Sequence, residues 1–129
     1  GPHQSQAHAA LGLRAGTKVT RLETLSSADN RPMSRATIWL SYAAFPDFAV
    51  RFAENPSITA TLASYGIADY ARASTRISAR HADADETATL KLAPGAILLV
   101  SEAVDTDLAG KPLLYALSRF PADLMELVV

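Results

Sequence analysis

Between Tyr70 and His81 the chain reads YARASTRISARH, which places Arg72, Ser74, Arg76, Ser78 and Arg80 at every second position, with Ala73, Thr75, Ile77 and Ala79 between them. Alternate residues of a strand point to one side, so the spacing predicts a single face carrying all five polar groups. A guanidinium keeps its charge and presents a planar fork of donors that fits carboxylate, phosphate or phosphonate oxygens two at a time. The face is therefore either the wet side of a half-covered sheet or a wall that binds an anion. Arg76 stands mid-strand and is the best placed for an anion, with Arg72 and Ser74 beside it. Arg80 lies nearest Asp83, Asp85 and Glu86 and reads as a partner for one of them in solvent.

Other chemistries find few residues to run on. The chain has no cysteine, which removes thiolate nucleophiles and disulfides. It contains neither a GxSxG elbow nor an HExxH zinc pair. His81 with Asp83 and Asp85 makes a histidine and carboxylate cluster, but at that spacing the acids read as helix capping. No catalytic residue, metal or cofactor is expected.

With 129 residues, 49% hydrophobic and 19% charged, the composition is that of one globular domain with a sizeable core. A formal charge of −1 argues against a nucleic-acid surface on this chain, because phosphate contacts need a clustered basic excess. No apolar run approaches the roughly 18 residues of a membrane span, and no signal-peptide pattern opens the chain, so a cytoplasmic protein with no membrane partner is expected. Residues 1–10, GPHQSQAHAA, read as a flexible tail on a chain cut from a longer one, and His3 and His8 there are not expected to bind metal.

The elements that must position the arginines follow from pattern and turn chemistry. Thr17 to Ala28 and Arg31 to Ser41 read as strands joined by an Asp29-Asn30 turn. Phe45-Pro46-Asp47 opens a short helix carrying Phe48 and Phe52. Asn55-Pro56 caps a second, with Ile58, Leu62 and Tyr65 on one stripe and Gly66 closing it. After the arginine strand, Asp83 and Glu86 form the signature of a capping box opening a helix to about Leu92, where Pro94-Gly95 break the pattern. Ala96 to Thr106 and Lys111 to Phe120 make a second hairpin around Asp107 to Gly110, and Met125 to Val129 is a candidate final strand. The order predicts an α+β domain on a largely antiparallel sheet, with its helices grouped on one side.

The stretch LGLRAGTKVTRLETLSSADNRPMSRATIWL resembles the opening of the UTRA domain, the effector-binding domain of the HutC-type branch of GntR-family bacterial transcription regulators. The resemblance continues in order through FPDF, NPSITATLASYG, RISARHADADETATLKLAPGAILL and DTDLAGKPLLYALSRFPADLMELVV, covering residues 11–129. Within that family, TRISARHA and SRFPADLMELVV are most similar to the regulators of phosphonate uptake and degradation (PhnF-like). The resemblance implies a chorismate-lyase-like fold, a small-molecule effector in a cleft beside the sheet and homodimers. It also implies operator DNA bound only through a winged helix-turn-helix domain preceding residue 1.

It further implies where an effector would sit. Sugar-phosphate-sensing relatives carry arginines on the first strand where this chain has Thr24 and Ser26. Their glutamates fall at Ala36 and Leu114, and an aromatic hydroxyl falls at Phe120. The charges of a phosphosugar pocket are thus absent from their usual positions, so a different effector is expected, such as a phosphonate or phosphate ester. Arg76, Arg72 or Arg35 would supply the positive charge. Ser74, the hydroxyls of Thr24 and Ser26, Ser118 on the last hairpin, and Ser57 at the helix start after Pro56 are the further candidate contacts.

Overall fold

The computed structural model describes residues 3–124. Helix α1 spans Gln4–Leu11, followed by the strands β1 (Val19–Ala28) and β2 (Arg31–Ser41). Helices α2 (Phe48–Glu54) and α3 (Ile58–Ala63) come next, then β3 (Ala71–His81), α4 (Ala84–Thr89), β4 (Ile97–Thr106), β5 (Pro112–Pro121) and one 3-10 turn, Ala122–Leu124. The five strands form one sheet in the order β1-β2-β5-β4-β3, and each pairing is antiparallel. The expected α+β class and antiparallel sheet are what the chain adopts. The candidate strand from Met125 to Val129 lies outside the described residues. No described helix is long and apolar enough to cross a membrane.

Local chemistry explains most boundaries. Asp29 and Asn30 both take positive φ, 50° and 64°, as a two-residue turn matched to strand twist requires. The capping box at α4 is complete: Glu86 N–H donates to Asp83 Oδ1 at 2.8 Å and Asp83 N–H to Glu86 Oε1 at 3.0 Å. This helix stops at Thr89, short of the expected Leu92, and Lys91 turns into the left-handed region. At α3 the cap is Ser57, whose Oγ accepts from Ala60 N–H at 3.1 Å, in place of the Asn55-Pro56 start expected.

Two cores lie on opposite faces of the sheet, because odd and even residues of each strand point opposite ways. On the back face Ile38, Leu40 and Leu114 pack under Phe45, Phe48 and Leu62. On the front face Trp39, Tyr115 and Leu117 pack under Ala7 and Leu11 of α1. The helices therefore cover both sides, which corrects the one-sided arrangement expected.

The stretch read as a tail is likewise corrected, since residues 4–11 are α1, closed by Gly12 at φ 68°. Its buried His8 holds two backbone carbonyls, Gln4 O through Nδ1 at 2.8 Å and Thr17 O through Nε2 at 2.7 Å. His8→Ala should cost about 1–3 kcal/mol by removing these two bonds and a buried side chain from the seam under α1. Urea unfolding of the two chains measures this.

Candidate functional site

The arginine row does not share a face. Strand β3 is an edge, paired only with β4, and its register slips between Arg72 and Ser74. Ala73 is the extra residue of a bulge, which reverses which side its neighbours point to. Arg72 thereby joins the back face opposite Asp105, its Nε donating to Asp105 Oδ1 at 2.5 Å. Ser74, Arg76, Ser78 and Arg80 remain on the front face. Sequence alternation had put all five together, and a bulge leaves no mark in alternation.

At one end of the front face, arginines from three strands meet the acids of α4 and β1. Arg80 makes a two-pronged pair with Glu86, at 2.6 and 2.7 Å. The Glu86 carboxylate is 4% exposed, so this pair is not the solvated one expected. Arg35 binds Asp85 at 2.5 Å and Glu23 at 3.2 Å. Arg119, 10% exposed, donates to Thr37 Oγ1 at 2.9 Å and lies 3.8 Å from Glu86. The Arg80 hydrogen bonds hold the Glu86 carboxyl below its ordinary range against the opposing effect of burial. Hydrogen bonding to Asp85 raises Arg35, whereas burial lowers Arg119. These groups fasten α4 to the sheet, and Arg35 is committed there.

The back face offers different chemistry. Thr24 stands opposite Ala36, Ala36 opposite Ser118, and Ser118 opposite Ser101, a row of small residues across four strands. Ser26 stands opposite Ser34 in the adjoining row. None of these five hydroxyls hydrogen-bonds a described residue, and all but the exposed Ser26 are half-buried. They can donate to an oxyanion or accept from a hydroxyl or amine. Ser57 belongs to the helical layer that packs on this same face, and its hydroxyl proton stays available while Oγ accepts from Ala60. Register thus brings Thr24, Ser26 and Ser118 together, adds Ser34 and Ser101, and leaves Arg76, Ser74 and Arg35 on the other side. Ser34 and Ser101 become recognisable once the strand order is known.

Arg76 lines a front-face pocket of about 300 Å³ with Ser74, Glu102, Val104, Tyr115 and Ala10. Its guanidinium makes no hydrogen bond or ion pair with a described residue. Among the described residues no group of three or more His, Asp or Glu could hold a metal ion.

Comparison with known proteins gives the following. Residues 2–126 match the UTRA domain. The chain is 41% identical over 126 residues to an uncharacterized HTH-type transcriptional regulator, RB1450, of Rhizobium meliloti (strain 1021). That match covers 98% of this chain and 52% of the relative, so the chain spans about half the length of the curated relative it matches. The structure of PhnF from Mycobacterium smegmatis superposes with a TM-score of 0.84 at 23% identity, covering 94% of this chain and 53% of that one. A GntR-family transcriptional regulator from Bacillus cereus gives 0.80 at 18%, covering 95% and 85%. Both structural likenesses concern the fold.

Proposed function

This chain belongs to the UTRA-domain family, and we propose from that membership that it is the effector-sensing part of a HutC-type, GntR-family transcriptional regulator. The effector is a small anionic metabolite, a phosphonate or a phosphate ester, held on the back face. The observation that carries this reading is the row of Thr24, Ser118 and Ser101 with Ser26 and Ser34 beside it, five hydroxyls without a described partner on one side of a rigid sheet. Such groups donate to oxyanions, and Arg72, which the bulge turns to this side and whose Nε is given to Asp105, adds its outer Nη2 donors.

Operator DNA is bound through a separate winged helix-turn-helix domain, in keeping with the −1 charge of this chain. The regulator acts as a cytoplasmic homodimer, in which effector binding favours one arrangement of the paired DNA-binding domains. The domain performs no catalysis.

A thermal-shift series with methylphosphonate, glycerol phosphate, glucose 6-phosphate and succinate tests the reading. An effector at a hundredfold excess over its Kd adds about 2.7 kcal/mol of stability, and Thr24→Val with Ser118→Ala should remove most of that shift. If no compound shifts the melting temperature while the chain remains dimeric, the domain is a dimerisation module with a vestigial pocket.

A further inference from the structure

The front-face pocket on β3 has features that the back-face reading does not use. Arg76 and Glu102 stand directly opposite each other on β3 and β4, so their backbones are only about 5 Å apart. They nevertheless make no ion pair with each other. Glu102 is instead oriented from below. Tyr115, 1% exposed, donates its hydroxyl to Glu102 Oε1 at 2.6 Å. Burial and the neighbouring carboxylate both raise the tyrosine, which keeps it a donor. The second carboxylate oxygen of Glu102 has no described partner. Val104 and Ala10 supply apolar wall, and Ser74 supplies a further hydroxyl at the rim. A fixed carboxylate beside a free guanidinium, in a pocket of about 300 Å³, fits opposite charges carried by one short molecule.

We propose that this pocket is a second ligand site, separate from the back-face hydroxyls, for a compact zwitterion whose oxyanion binds Arg76 and whose ammonium group binds Glu102. The short span between the two side chains restricts the ligand to an amino acid or aminoalkylphosphonate with one or two carbons between its charges. Guanidinium and oxyanion make the paired, charge-assisted bonds at one end, and ammonium and carboxylate do so at the other.

Trp39 is the sole tryptophan and its ring centroid lies 5.5 Å from that of Tyr115, so its fluorescence reports on the pocket floor. Titrations of the 129-residue chain by calorimetry and Trp39 fluorescence would compare glycine and β-alanine with acetate, propionate and methylamine. The zwitterions should bind at least tenfold more tightly than the singly charged compounds. Arg76→Gln and Glu102→Gln should each weaken them about tenfold or more. Arg76→Lys should recover part of the loss, and Leu108→Ala, on the exposed hairpin tip, should change nothing. The proposal is overturned if the zwitterions bind no better than acetate or methylamine, if none binds, or if Arg76→Gln leaves binding intact.

Discussion

Glu86→Ala is expected to destabilise the domain by about 3 kcal/mol, because removing one member of a buried ionic cluster leaves its partners uncompensated. The carboxylate takes two hydrogen bonds from Arg80, lies 3.8 Å from Arg119 and closes the capping box at Asp83. Arg80 reaches water and keeps part of its solvation, which holds the cost to the lower end of what buried pairs show. Arg119 is only 10% exposed; it keeps Glu23 at 3.5 Å from Nη2, but its Nε lacks a hydrogen-bond partner among described residues and loses with Glu86 the carboxylate beside it. Asp83→Ala, which removes the cap alone, should cost about 1 kcal/mol.

The pH dependence follows from the same contacts. Arg80 holds the folded carboxyl below its ordinary value of 4.5. A group depressed on folding stabilises the native state above its unfolded pKa, and that contribution is lost as pH falls through the lower folded value. The natural chain should therefore lose stability below pH 4.5 more steeply than Glu86→Ala. Urea unfolding from pH 7 to pH 3 measures both effects, and equal slopes for the two chains would sink the assignment.

Phe48→Ala should cost still more, about 3–5 kcal/mol, or roughly 12–20 °C in Tm for a domain of this size. Its ring is fully buried, edge-on to Phe45 at 6.0 Å and stacked on Tyr65 at 6.0 Å and 12°. The phenol of Tyr65 in turn donates to Pro46 O, so one ring secures the loop that launches α2. Leu108, 74% exposed at the tip of the last hairpin, is the control, and its change to alanine should stay within about 0.5 kcal/mol. Thermal melts followed by circular dichroism distinguish the two.

Most of the strands and the α4 cap were legible, because they rest on local rules. Asp29-Asn30 need left-handed φ, Asp83 and Glu86 sit at the spacing of a capping box, and the Phe48 and Leu62 stripes have helical period. What escaped was non-local or lay against expectation for a terminus. In α1, Ala7 and Leu11 are four apart and Gly12 ends the helix, but polar neighbours diluted that signal until Trp39 and Tyr115 supplied something to pack on. The grouping of candidate ligand residues was out of reach for another reason. Whether Thr24 and Ser118 share a face depends on β5 lying beside β2, which no spacing within either strand encodes. Glu86 and Arg119 belong to the same class, since α4 and β5 meet only after the chain closes.

The slip at Ala73 has a consequence for how the two surfaces can diverge. It acts as a parity bit within the strand, so that Arg72 answers to one environment and Arg76, four residues on, to the other. A change in the polar character of one surface can be made at residues on either side of the slip without editing the opposite surface. The same eleven residues can therefore be tuned as two independent sets, an arrangement that strict alternation would forbid for Arg72 and Arg76.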